Sequence, residues 1–162
     1  MSSSQDSTVK GRVGVAMTTR HEVDEARIRR HIHALVEALQ GKDLDRLRRL
    51  YATDIVSFDV QPPLQHVGIE AKLKNWAPVF TSFETVTYEV RDLTLTVGDD
   101  VAFGHAFARL GGTLKDGTAV GGMWVRVTYC LRKIDGTWLI VHDQVSVPLD
   151  ILSGTGVVDL EP

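Results

Sequence analysis

The amino-acid sequence predicts an α+β domain in which three helices come first and a long, curved antiparallel sheet follows. Apolar residues recur at helical spacing in three stretches up to Phe83, and four strand-like runs separated by Gly/Asp turns fill the chain beyond. With 162 residues, 43% of them hydrophobic and 24% charged, the chain has the length and balance of one soluble globular domain.

From Met1 to about Arg20 the chain is rich in Ser, Thr and Gly without a sustained period, which reads as a flexible leader (1–20) ahead of the domain proper (21–150). Between Asp24 and Gln40, Ile28, Ile32, Leu35, Val36 and Leu39 make one apolar stripe, and Gly41 ends the helix. Asp43 is placed to cap a second helix carrying Leu44, Leu47 and Leu50, so close to the first that the two must form a hairpin. Ile55, Val56 and Phe58 read as a strand that delivers Asp59 at its end, just before the stiff Pro62-Pro63 turn. After Gly68, a third helix points Ile69, Leu73, Trp76, Phe80 and Phe83 inward, and Pro78 is expected to kink it or end it early.

The rest is β. Thr85–Val97, Val101–Gly111, Val120–Lys133 and Trp138–Val147 are rich in Val, Thr and aromatic residues. Gly98-Asp99-Asp100, Lys115-Asp116-Gly117 and Asp135-Gly136 supply the hairpin turns between them. The last residues, 151–162, return to a Gly/Asp-rich stretch expected to be a flexible tail.

Several function classes are set aside by composition. A net charge of −3, with no Lys/Arg block on a strand or loop, argues against nucleic acid as a partner. Cys130 is alone, so no intramolecular disulfide forms, and no Cys/His spacing suggests zinc. His31 and His33 stand about 200° apart on a helix and cannot share a metal; no metal and no cofactor are expected. No run of about 18 apolar residues and no signal-like N-terminus are present, so neither a membrane span nor secretion is expected, and the expected location is cytoplasmic.

Taken together, the pattern resembles the nuclear transport factor two-like superfamily, in particular its ketosteroid isomerase and SnoaL-like branches, over roughly Glu25 to Pro148. The resemblance rests on the Lys42-Asp43-Leu44 helix start, the Tyr51-Ala52-Thr53-Asp54 helix end, an aspartate sixteen residues after Asp43, and the Pro62-Pro63-Leu64-Gln65-His66-Val67-Gly68 turn. It implies a cone-shaped sheet wrapped on three N-terminal helices, and it places the isomerase general base on Asp59. The family's oxyanion-donating tyrosine falls on Leu35, and its second donor, an acid, falls near Thr128 or Tyr129. The cyclase and epoxide hydrolase branches carry an acid on the last strand, which falls on Asp143. The arginine and partner aspartate of the hydrolases fall near His105 and Phe107, so their triad is incomplete here.

Strand alternation gives an independent view of which side chains meet. Val141, Asp143, Val145 and Val147 share one face of the last strand, Met123, Val125, Val127, Tyr129 and Leu131 one face of the strand before it, and Phe103, His105 and Phe107 one face of another. If these sets line the concave side, Asp59, Asp143, His105 and Tyr129 are the few polar groups of a mostly apolar pocket. Its expected wall includes Trp76, Phe80, Phe107, Leu35 and Val127, although ordinary core accounts for Trp76 and Phe80 better than a ligand cage does. Trp124, Arg126 and His142, on the opposite face, suit a homodimer interface.

The resulting expectation is a pocket for a small apolar molecule with a carbonyl head. Asp59 would act as base, protonated Asp143 with His105 or Tyr129 would hold the developing enolate, and the chemistry would be isomerisation or cyclisation without a cofactor. The alternatives are a non-catalytic binding module and a dimeric or larger assembly domain of the same shape.

Overall fold

The computed structural model describes the chain from Thr8 to Pro162, with side chains from Arg20 onward. Helix α1 (Thr8–Gln40) starts well before the Asp24 expected from the apolar stripe, and residues 1–7 of the expected leader lie outside the described residues. The stripe itself is the buried face, with Ile28, Ile32, Leu35 and Leu39 all at 2% exposure or less. Helix α2 (Leu44–Leu50) is capped as the sequence predicts, the Asp43 carboxylate accepting a 2.8 Å hydrogen bond from the Arg46 amide.

Strand β1 (Tyr51–Phe58) follows directly, then β2 (His66–Val67) and helix α3 (Ile69–Ser82). Helix α3 does not stop at Pro78. Pro78 and Lys74 are both exposed, so the Lys74 carbonyl that loses its bonding partner four residues on can be hydrated instead.

Four long strands then run as β3 (Phe83–Val97), β4 (Val101–Leu114), β6 (Trp124–Ile134) and β7 (Thr137–Ser146), with the short β5 (Ala119–Val120) paired to β4. Among the described residues they form a seven-stranded sheet in the order β2-β1-β7-β6-β4-β3. The long strands pair antiparallel, and β1 joins β7 in parallel, which makes the sheet mixed rather than wholly antiparallel. A bulge between Arg91 and Thr94, with Asp92 at a φ of 57°, bends β3. The tight β6–β7 turn uses Asp135 and Gly136, both at positive φ, as a two-residue hairpin demands.

The helices cover one face of this curved sheet, and the core lies between the two layers. Strand β3 ends the sheet, and side chains from α1 and its C-terminal turn occupy its unpaired carbonyls: Arg29 donates to Leu93, Gln40 to Tyr88 and Lys42 to Phe83. At the other end of the sheet surface, the buried Asp24 pairs with Lys133 at 2.5 Å and with Arg27 at 3.3 Å, tying α1 to β6.

The segment expected to be a flexible tail is folded. Strands β8 (Leu149–Asp150) and β9 (Thr155–Gly156) make a hairpin, and the Glu161 carboxylate accepts a 2.7 Å hydrogen bond from the Trp124 indole. Trp124 is thereby packed within its own chain. It is 7% exposed, with the Arg91 and Arg109 guanidinium carbons 4.4 and 4.7 Å from its ring centroid. His142, also on the outer face, is occupied by the Val56 carbonyl at 2.6 Å and the edge of Phe58. Arg126 is exposed there and donates to the Val147 carbonyl.

Candidate functional site

Between α1, α3 and the inner face of the sheet lies a cavity of about 280 Å³. Leu35, Trp76, Val79, Val125, Val127 and Val145 supply much of its apolar wall, while Asp59, Val60 and Gln61 form part of the rim. That volume is near the lower end of small-molecule sites, and the mix of apolar wall and few polar groups is their usual make-up.

The polar groups come from three places. Asp59 follows β1 immediately, is half-buried, and is held at both oxygens: Oδ1 accepts from the Val60 amide at 2.8 Å and Oδ2 from the Asn75 side chain at 2.7 Å. Deeper in, Ser57, Asp143 and Tyr129 stand directly opposite one another across the adjacent strands β1, β7 and β6. Since directly opposed residues share a face, all three point to the same side of the sheet.

Lys72 reaches this row from α3. Its ammonium lies 2.8 Å from Asp143 Oδ2 and donates to Ser57 Oγ at 2.9 Å, and the Ser57 hydroxyl donates in turn to Asp143 Oδ1. Lys72, Asp143 and Ser57 are each 2% exposed or less. A buried ion pair persists only when its remaining bonding capacity is satisfied, and Ser57 meets that need here. Lys72 and Asn75 lie three residues apart, on neighbouring positions of one helix face, so α3 positions both pocket carboxylates.

Three tyrosines, Tyr51, Tyr88 and Tyr129, complete the polar lining. Burial pushes the phenol of each well above its ordinary range, reinforced for Tyr51 and Tyr88 by the Asp143 charge and for Tyr129 by the neighbouring tyrosines and Asp143. They therefore keep their protons and act as donors. The Trp76 indole N–H is buried without a partner, and the buried Tyr129 hydroxyl has the Tyr88 hydroxyl as a neighbour that is not well aligned with it.

Asp59, Asp143, Tyr129, Trp76, Leu35 and Val127 all line the cavity. The structure separates three others from it. His105 is exposed and Phe107 half-buried on the outer face, because the inward row of β4 is Ala102, Gly104, Ala106 and Ala108. These small residues sit opposite Leu131, Tyr129, Val127 and Val125, which fill the space in front of them. Phe80 is core: it stacks behind Trp76 at 6.0 Å and does not reach the cavity. Asp143 is not the expected proton donor, since both of its oxygens already accept, one from an ammonium and one from a hydroxyl. The strand parity drawn for β7 also breaks at a bulge at Val141: Ile140 faces Leu131 and His142 faces Cys130, so Ile140 and Asp143 are both buried.

Lys72, Ser57, Asn75, Tyr51 and Tyr88 belong to the site and were not singled out from sequence. One signal was available for Lys72, which falls inside the inward stripe between Ile69, Leu73 and Trp76. Ser57 likewise alternates with Ile55 on β1 and with Asp59 just beyond it.

The model of the SnoaL-like domain matches residues 28–150. The chain belongs to the SnoaL-like domain family. No protein of curated function matches this SnoaL-like domain in sequence. Among solved structures, an NTF2-like protein of unknown function from Pseudomonas putida KT2440 is 27% identical with a TM-score of 0.78, covering 87% of this chain and 98% of that one. A candidate scytalone dehydratase from Novosphingobium aromaticivorans superposes at a TM-score of 0.73 and 16% identity, covering 80% and 87%. A candidate calcium/calmodulin-dependent protein kinase II association domain from Xanthomonas campestris gives 0.63 and 22%, covering 75% and 89%. The SnoaL-like fold is thus shared by proteins of unlike description, and the site has to be argued from its own chemistry. Among the described residues, no helix is long and apolar enough to cross a membrane.

Proposed function

We propose that this SnoaL-like domain binds a small, largely apolar molecule with a carbonyl head in the cavity and moves a proton on it, with Asp59 as the base. The supporting observation is the placement of Asp59: a carboxylate at the rim of an apolar hollow, fixed by Asn75 and the Val60 amide, facing a lining whose tyrosines hold their protons. Fixed geometry at a general base is what proton abstraction requires. The C–H bond next to the carbonyl breaks, its proton passes to Asp59, and the electron pair moves onto the carbonyl oxygen, which a tyrosine hydroxyl, foremost Tyr129, stabilises. In a β,γ-unsaturated ketone, return of the proton from Asp59 to the far carbon of the dienolate completes an isomerisation; attack of the carbanion on a second carbonyl, whose oxygen takes the proton back from Asp59, completes a cyclisation. Neither route calls on a cofactor.

Asp59→Asn tests this. Hydrogen–deuterium exchange at the carbon beside the carbonyl of a bound ketone should fall about 100-fold or more, with the affinity for that ketone little changed. Exchange at the wild-type rate would remove Asp59 as base. Absence of exchange in the wild type, with binding intact, would leave the non-catalytic binding module. The open cavity weighs against a purely architectural role. For assembly, the proposed partner is a second copy on the outer sheet face, where Val101 and Phe103 are 55% and 53% exposed; a monomer mass by light scattering would exclude it.

A further inference from the structure

We infer that Lys72 contacts the bound molecule directly, its remaining N–H and the Tyr129 hydroxyl forming a two-donor seat for the acceptor oxygen of a ketone about two fused rings in size. This rests on the proposed occupancy of the cavity and adds to it a residue, an orientation and a ligand class.

An ammonium carries three N–H groups. Two of those on Lys72 are met by Asp143 Oδ2 at 2.8 Å and Ser57 Oγ at 2.9 Å, which leaves one, and Lys72 lines the cavity. The nearest aromatic face, Tyr51, is 5.7 Å from the ammonium to the ring centroid, close to the outer limit for such a contact. Tyr129, opposite Asp143 on the next strand and also lining the cavity, holds a buried hydroxyl whose neighbour, the Tyr88 hydroxyl, is not aligned with it for a full hydrogen bond. One ammonium N–H and one weakly partnered hydroxyl thus belong to the two residues that neighbour Asp143 in the cavity lining. Unmet buried donors are costly, and an acceptor oxygen from a ligand would satisfy both.

Asp143 and Ser57 are then positioning residues. Their bonds fix the ammonium and leave it a single free direction, and Asp143 balances its charge so that a neutral carbonyl suffices as partner. The size follows from volume. A dry cavity of about 150 Å³ accommodates benzene, and about 280 Å³ is nearly twice that. A bicyclic skeleton matches; a four-ring one exceeds the space.

The experiment compares 1-indanone with its hydrocarbon counterpart indane by calorimetry, and follows the carbonyl stretch of bound 1-indanone by isotope-edited infrared spectroscopy. In the wild type the stretch should lie below its position in hydrocarbon solvent. Tyr129→Phe should weaken 1-indanone roughly tenfold, leave indane unchanged and raise the stretch. The double variant Lys72→Met/Asp143→Leu, which removes the ion pair as a unit, should do the same. Equal losses for both ligands, or a stretch unmoved by either variant, would overturn the donor seat while leaving an occupied cavity. Failure of both ligands to bind the wild type would overturn the cavity reading together with the seat.

Discussion

Among the described residues, two buried carboxylates each pair with a lysine ammonium, and the two pairs differ in what surrounds them. Asp24 and Lys133 meet at the junction of α1 with β6, where Arg27 adds a second cation and the Lys133 ammonium lies 5.1 Å from the Trp138 ring centroid. Lys133 keeps 16% of its side chain in contact with solvent. The Asp143 and Lys72 side chains line the cavity, each 3% exposed or less, with Ser57 closing the triangle and Tyr129 opposite Asp143 on the next strand. The first pair holds two elements together. The second holds polar groups ready beside an apolar space, which is the arrangement expected of a binding site rather than a clamp.

Separating the two pairs by mutation sharpens that distinction. The largest effect should come from Lys72→Met, which leaves Asp143 buried without a counter-ion and should cost about 3–5 kcal/mol in urea unfolding. Adding Asp143→Leu should recover most of that stability without recovering ketone selectivity. A double variant as unstable as the single one would mean that the pair is held for the fold.

Lys133→Met should cost less, about 2 kcal/mol, because the partly hydrated Lys133 is lost while Arg27 still faces Asp24. Ketone affinity should be unaffected; a loss there would couple the clamp to the cavity and blur the distinction. The smallest effect concerns pH. Burial tends to raise the Asp24 carboxyl, but the hydrogen bond and charge of Lys133, with Arg27, outweigh it and hold the folded value below the ordinary one. Stability from this group is therefore complete above the unfolded carboxylate value of about 3.9 and is lost as pH falls through the lower folded value. Asp24→Asn should flatten the unfolding free energy below about pH 4 and leave its slope at neutral pH unchanged.

Much of the site was readable from the chain. Asp59 stood out because it closes an apolar strand just ahead of the stiff Pro62-Pro63 turn, where the backbone holds a carboxylate in one place. Asp143 and Tyr129 stood out because each is polar within an apolar alternation. Lys72 is less legible: a lysine between Leu73, Ile69 and Trp76 needs a buried partner, but nothing nearby in the sequence names it. That partner lies 71 residues away by number and is brought near only when β7 pairs with β1.

What the sequence determined by itself was local: which stretches coil, which extend, where Asp43 caps a helix and where Asp135-Gly136 turns the chain. Local periodicity records that two sides of a strand differ, but not which side meets the helices. On β4 that choice fell to Ala and Gly because the neighbouring strand already carries Tyr129 and Leu131 on the inner side. The tertiary structure alone decided the face of His105, the partner of Asp143 and the existence of the cavity, since each depends on how much volume non-neighbouring residues occupy when they pack.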